Sequence, residues 1–470
     1  MTSSPDRCFS VAAFLERIAG TWQNIAPDVC PETLPLPQTD SRIPNLGGVF
    51  LALKGERFDG HDFLDAARKA GNFCAIINAN RTDLVNQYPD FPLLLVPDTL
   101  RAYQTIGTLY REKFPNVMVA GVTGSVGKTS VKEMLRAIFI AAASLEEVVA
   151  TEGNTNNQIG VVQNLFRLSP VTKYAVIEMG TNSPGEIAPL ATMAQPQCSV
   201  VNSIAPCHLE KLKSLAGVAT EKGEIFRALP QNGCAVLPLL APESHILREM
   251  ANGRKILTFG PLKSESDFGA EYLSGNLTGS SFILAFPDGT EYTVNWQLTG
   301  QHQALNAAAA AAVAWHFGIS AKTIITGLEQ TQLPGMRMAI TRLNDITFVN
   351  DAYNANPASM KAALEHLAEF IDHQKWILVL GDMCELGEYE MAGHKEILQL
   401  VTRLFPDVRT VLVGNAFAQA MQKLDNIPFH WISVKDAECA KKPLAFLTKQ
   451  GDTVFLKASR SIGLEVLLNL

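Results

Sequence analysis

Two hydrophobic periods divide this chain, and the places where one gives way to the other outline its elements. In the first hundred residues, short apolar runs at 49–53, 73–77 and 93–96 stand between polar turns and predict buried strands. A helical spacing over 62–70 separates the first two runs, which makes this stretch a small α/β unit. An amphipathic helix over 101–114 leads into a second region, where apolar strands at 117–122, 174–179, 199–204 and 235–238 alternate with helical stretches. That βαβ rhythm predicts a largely parallel sheet with its ligand at the carboxyl ends of the strands. Between 259 and 296 the pattern changes to short alternating runs with Gly and Asp turns, read as an antiparallel appendage. The stretch 304–317, with six consecutive alanines, is expected as a closely packed helix. Pro334 and Gly335 mark a boundary, and beyond it strands at 346–350, 376–380, 410–413 and 453–456 alternate with helices such as 359–371. The third region is Rossmann-like but lacks GxGxxG, so dinucleotide binding is not indicated.

The length of 470 residues fits three domains, and 47% hydrophobic with 18% charged residues describes a globular chain rather than a disordered or membrane-spanning one. The expected domains are 1–104, 105–332 and 333–470. A formal net charge of −7, with no basic run, argues against a general nucleic-acid binder. Eight cysteines (Cys8, Cys30, Cys74, Cys198, Cys207, Cys234, Cys384, Cys439) form no CxxC pair, which suits a reducing compartment. No signal-peptide pattern and no bilayer-length apolar run is present, so no membrane partner is expected and the chain reads as cytoplasmic. A monomer is the default.

One stretch changes this picture. Residues 122–130, VTGSVGKTS, join an apolar strand to a helical pattern. Gly124 and Gly127 let backbone amides turn inward, Lys128 supplies a point charge to the β- and γ-phosphates, and the hydroxyl of Thr129 or Ser130 can ligate Mg²⁺. The strict GxxxxGK[ST] spacing is not met, because Val122 stands where its first glycine belongs. The strand at 174–179 ends in Glu178, a carboxylate on the same expected sheet edge and able to take Mg²⁺. The next strand delivers His208 to that edge, where it is either a ligand or an ordinary surface histidine. Lys222 lies in a helical stretch, and by itself it reads as a solvated lysine. The amide-rich segment 152–160, EGNTNNQIG, is either a turn or a loop of donors for a polar ligand. Cys207 has no visible base, so a structural thiol is the expectation.

Together these residues resemble the Mur ligase superfamily, most closely its D-alanyl-D-alanine-adding branch. The resemblance runs through DSR at 40–42, ALKGERFDGHD at 52–62, the phosphate loop, EGNTNN at 152–157, EMG at 178–180, HLE at 208–210 and KGEIF at 222–226. It continues through GQH at 300–302 with Asn306, DAYNANP at 351–357, LGDMCELG at 380–387 and KASR at 457–460. The asparagine-rich loop and the YNANP segment favour this branch over sister ligases. Gln303, Ala458 and Leu464 depart from the family pattern, where Asn, Gly and Met are usual.

The resemblance implies three domains: a small N-terminal α/β domain for the UDP-sugar, a central P-loop ATPase domain with a parallel sheet, and a C-terminal domain for the incoming dipeptide. It implies an ATP-dependent ligase that joins D-alanyl-D-alanine to UDP-N-acetylmuramoyl-tripeptide through an acyl phosphate in peptidoglycan precursor synthesis. Two Mg²⁺ ions would be held by Thr129, Glu178, His208 and a carbamylated Lys222. The nucleotide would meet Gly124, Ser125, Gly127, Lys128, Thr129, Ser130, Asn156 and Asn157. His302 and Asn306 would lie on the adenine side, Arg337 near the γ-phosphate and Asp351 at the ribose. Ser41, Arg42 and Lys54 would take the UDP-sugar, and Asn354, Asn356 and Asp382 the dipeptide. Lys128, Lys222, His208 and Arg337 would carry the chemistry. A sister ligase with another amine, and an ATP-gated binding protein without turnover, are the alternatives.

Overall fold

The computed structural model describes residues 7–369, 375–424 and 429–469, and its contacts group into two compact units. The first holds the chain up to Gly121, with Leu145–Met179 and Ala188–Pro196. The second holds Val122–Ser144, Gly180–Ile187 and everything from Gln197 onward. Three α/β sheet systems fit the expected fold class.

In the first unit, strands β1 (Cys8–Ser10) and β3 (Thr33–Pro35) pair antiparallel. Strands β2 (Thr21–Gln23), β4 (Val49–Leu51), β5 (Cys74–Asn78) and β6 (Leu93–Val96) form a sheet in the order β2-β6-β5-β4. Strands β4 to β6 run parallel, and β2 caps the edge antiparallel. Their inward residues, among them Phe50, Ala75, Ile77 and Leu93, bury against Leu64 and Ala67 of the short helix Leu64–Lys69. This is the predicted small α/β unit. The helix Thr99–Glu112 begins where the carboxylate of Asp98 accepts from the amides of Leu100 and Arg101. Its buried Arg111 survives because its guanidinium donates to the carbonyls of Phe114, Val117, Ala194 and Gln195. Strands β8 (Val148–Ala150) and β9 (Tyr174–Glu178) pair parallel here, and the first four residues of β7 (Met118–Thr123) also belong to this unit.

The second unit continues from the end of β7. Strands β10 (Cys198–Val201), β11 (Cys234–Pro238) and β12 (Lys255–Pro261) are parallel, and β13 (Phe268–Asn276) joins β12 parallel as well. The expected antiparallel appendage is the meander of β13, β14 (Gly279–Ala285) and β15 (Glu291–Trp296). The alanine-rich helix spans Gln301–His316, and Ala307 to Ala312 are fully buried, which small side chains alone permit at such close packing. The strand expected over 199–204 stops at Val201, because Asn202 and Ser203 turn out of the sheet to bond the phosphate loop.

Six further strands form a second sheet in this unit: β16 (Ala339–Leu343), β17 (Ile346–Asn350), β18 (Trp376–Gly381), β19 (Arg409–Val413), β20 (His430–Val434) and β21 (Thr453–Lys457). Their order is β16-β17-β21-β18-β19-β20, parallel except for β16. The four interior strands are those the apolar runs predicted. The two edges were not predicted, because half of each faces solvent and carries polar residues. The helix expected over 359–371 is observed as Pro357–Leu367; Phe370 and Ile371 lie outside the described residues. No described helix is long and apolar enough to cross a membrane.

Candidate functional site

The phosphate loop leaves β7 at Thr123 and enters the helix Lys128–Ala142 at its first turn. Gly127 has φ +85°, and a Cβ there would press on the amides of Asn202 and Asn306 at 2.7 and 2.9 Å. Gly124, at φ +156°, lies directly against the Asn202 side chain, so neither position admits a larger residue. Asn202 ties the arrangement together: its Nδ2 donates to the Val126 carbonyl at 2.6 Å and to Asn306 Oδ1 at 3.0 Å. Asn306 thus sits beneath the loop, and Gln303 accepts from it at 3.2 Å, a partner for the residue that departs from the family pattern.

Ser125 serves the loop's own architecture: its Oγ donates to the Ala205 carbonyl and accepts from the Ala205 amide and the Cys207 thiol. Cys207 is therefore a buried structural thiol, as expected. Thr129 and Ser130 are buried in the first helical turn. Lys128 Nζ donates to the Gly124 carbonyl at 2.7 Å, curling over the loop whose phosphates it is proposed to meet.

Lys222 differs most from its sequence reading. It is fully buried in the helix Leu215–Arg227, and its Nζ has no hydrogen-bond partner among the described residues. Neighbouring Glu221 attracts it but offers no hydrogen bond, because that carboxylate accepts from the amides of Gly185, Glu186 and Ile187. Burial, then repulsion from Lys128, lower the Lys222 pKa to about 8. A solvated helix lysine is excluded.

His208 opens the short helix Leu209–Leu212 with φ +51°, and its Nδ1 meets Glu385 Oε2 at 2.5 Å. The bond to His208 holds the Glu385 carboxyl below its usual range. Arg337 lies between Met336 and Met338, both at positive φ (60° and 54°), a strained backbone that aims the side chain. Its guanidinium stacks on the Tyr353 ring at 3.7 Å and donates to Thr129 Oγ1 at 3.1 Å. Tyr353 and Glu385 lie within the DAYNANP and LGDMCELG motifs, whose local sequence gives neither a contact; only folding places them on these partners.

Other second-unit candidates already have bonds. Asp351 accepts from Lys457 Nζ at 2.5 Å and from the Met338 amide at 3.3 Å. Asn354 accepts from the Ala355 amide, and Asn356 forms a capping box with Ser359 at the start of helix Pro357–Leu367. Both oxygens of Asp382 accept backbone amides, from Ala416 and Phe417, each at 2.9 Å. His302 packs against Gly300, and burial followed by the charge of Lys457 lowers its pKa to about 4.

In the first unit, Asn156 Nδ2 donates to Glu178 Oε1 at 2.9 Å, while Glu178 Oε2 is buried without a hydrogen-bond partner among the described residues. Asn157 Oδ1 accepts from the amides of Ile159 and Gly160, starting the helix Gly160–Leu165. Arg42 forks onto Asp40, whose carboxyl it holds down at about 2, and Lys54 is exposed at a bridge to Asp59. Ser41 lies in the turn between Asp40 and Arg42.

A hard divalent cation needs oxygen or imidazole donors with a free lone pair. Glu178 Oε2 supplies one in the first unit. In the second, the Thr129 hydroxyl and the free ring nitrogen of His208 supply others, and a carbamate on Lys222 would replace an unpartnered cation by an anion. Among the described residues no three His, Cys, Asp or Glu side chains form a ready-made metal cage, so added oxygen donors are what such a site calls for. The donor set fits.

The Mur ligase middle-domain family matches residues 122–314, and the Mur ligase glutamate-ligase domain family matches residues 336–460. The chain is 38% identical to UDP-N-acetylmuramoyl-tripeptide–D-alanyl-D-alanine ligase of Escherichia coli (strain K12), over 92% of each chain. It is 33% identical to the ligase of the same name from Bacillus subtilis (strain 168), over 91% of each. Among solved structures, MurF from Acinetobacter baumannii superposes with TM-score 0.87 at 30% identity, covering 99% of both chains. MurF from Thermotoga maritima in complex with ADP superposes with TM-score 0.77 at 27% identity, covering 92% of this chain and 96% of that one.

Proposed function

The chain belongs to the Mur ligase family, and on that premise we propose that it joins the carboxylate of UDP-N-acetylmuramoyl-tripeptide to the amino group of D-alanyl-D-alanine, converting ATP to ADP and phosphate. The observation that carries this reading is Lys222, buried without a hydrogen-bond partner among the described residues and repelled by the phosphate-loop Lys128, in a chain whose 38%-identical relative bears that ligase's name. A plain phosphate-binding loop has no use for such a lysine.

The first step brings a carboxylate oxygen onto the γ-phosphorus, and ADP leaves. Two anions meet, so catalysis is chiefly charge neutralisation and positioning. Lys128 supplies fixed positive charge at the β- and γ-phosphates. Arg337, held flat by Tyr353, reaches the first turn of the loop helix and neutralises the transferring group. The dipeptide amine then attacks the acyl carbon, loses a proton, and phosphate departs with the bonding pair. Arg337 comes from the segment beyond residue 332, the proposed domain boundary, so docking of that segment is a condition of turnover. The other proposed boundary is at residue 104.

Mg²⁺ ions, when bound, would lower the repulsion between the two anions. Thr129, His208 and Lys222 of the second unit and Glu178 of the first are the proposed ligands. Lys222 would act as its carbamate: the neutral amine adds to CO₂ and releases one proton. An amine with pKa near 8 keeps a far larger neutral fraction near pH 7 than an ordinary lysine, and it is that fraction which adds to CO₂. Asn156 would orient Glu178. Nucleotide-sugar and ATP as substrates place the reaction in the cytoplasm.

ADP release, measured with UDP-muramoyl peptides against a panel of amines, tests the reading. Release that requires both the UDP-tripeptide and D-alanyl-D-alanine is expected. Turnover with another amine would make it a sister ligase, and ATP binding without turnover would make it a nucleotide-gated binder.

A further inference from the structure

Glu385 has no role in the chemistry above, yet it reaches His208 across 177 positions of sequence. Three observations show that this contact is built. The turn carrying Glu385 is anchored on both sides by Met383 and Leu386, which are buried in the core of the six-stranded sheet. The Cys384 amide donates to Ser459 Oγ at 2.8 Å, fastening the same turn to the KASR segment. The two partners also meet in unfavourable backbone: His208 has φ +51° and Glu385 φ +63°, a region that β-carbons make costly.

Next to them, Gly387 at φ +55° lies against Glu210, where a Cβ would come within 2.9 Å of the Glu210 Cα. A side chain there would push the turn away from the His208 loop. Glycine at 387 and a carboxylate at 385 therefore serve one close approach.

An ionised carboxylate only accepts, so the imidazole proton in this bond lies on Nδ1 and the lone pair on Nε2. Histidines that bind metal commonly donate their other N–H to a carboxylate in this way, which fixes ring and tautomer. We propose that Glu385 is a positioning residue for His208, delivered by docking of the segment beyond residue 332 and presenting Nε2 only when that segment is seated. This deepens the ligase reading and rests on it, because there His208 is a proposed metal ligand. The tether couples domain position to the readiness of the metal site.

The test uses the full chain with ¹⁵N-labelled histidine, the His208 signals being assigned by their loss in H208N. Wild type should show His208 protonated at Nδ1. In E385A that signal should shift toward protonation at Nε2, and kcat should fall roughly 10–100-fold with KM for ATP unchanged. E385Q keeps an acceptor oxygen and should retain the tautomer and most of the activity. G387A should reproduce E385A with the carboxylate intact. An E385A spectrum identical to wild type, or E385Q as impaired as E385A, overturns the proposal. Full turnover in H208N would instead sink the metal-ligand role of His208, while the tautomer shift in E385A would still decide the tether.

Discussion

The phosphate-loop end of the second unit and the carboxyl edge of its six-stranded sheet carry similar residues in opposite states. At the loop, Lys222 Nζ is buried without a hydrogen-bond partner among the described residues, and Lys128 donates to a carbonyl of its own loop. At the sheet edge, Asp382 accepts two amides, Asp351 accepts Lys457 and an amide, and Asn356 closes a capping box. Polar groups left open inside a fold cost stability and point to a ligand; groups fully bonded maintain the shape around it. We propose that the open groups act on substrate and the bonded ones hold the scaffold, although both sit in motifs of the same family.

The comparison can be broken by mutation. The largest effect is expected for Lys128→Ala: ADP formation should fall roughly 10²–10³-fold or more, with an unchanged melting temperature. A parallel loss of stability would move Lys128 into the scaffold group. Lys222→Ala should also lose activity, and a short carboxylate such as acetate should restore part of it by replacing the missing anion; full activity without added acid would refute the carbamate.

The same lysine has a pH signature. Its native pKa near 8 lies below the unfolded value near 10.5, so the unfolded state binds more protons between the two. In CO₂-free buffer, burial of the charge therefore costs about 3 kcal/mol below pH 8, and the cost fades as pH rises toward 10.5. Lys222→Met should be more stable than wild type at pH 7 in urea titrations, with the gap closing at high pH. An equal gap at all pH values would count against a charged, unpartnered ammonium.

Smaller effects are expected at the bonded edge. Asp382→Ala leaves the amides of Ala416 and Phe417 without acceptors and should cost about 1–3 kcal/mol in denaturant unfolding. Asn356→Ala removes a helix cap and should cost about 1 kcal/mol. Loss of turnover in either variant with no loss of stability would place that residue on the dipeptide instead.

The four interior strands of the six-stranded sheet were legible because they are continuous apolar runs, and the phosphate loop because glycine and lysine at fixed spacing have few other uses. The edge strands β16 and β20 escaped, being half solvated, and the strand end at Val201 depended on what Asn202 would bind. Lys222 shows the limit most sharply: its helix was readable, but local spacing does not reveal whether a lysine faces water or the interior.

Residue chemistry and period, which are local properties, determined the α/β class, the nucleotide loop and the family resemblance. Long-range packing decided that Lys222 has no hydrogen-bond partner among the described residues, that Tyr353 stacks on Arg337, and that Glu385 meets His208. Those facts depend on which residues distant in sequence become neighbours and on whether water is shut out, and only the closed tertiary structure sets both.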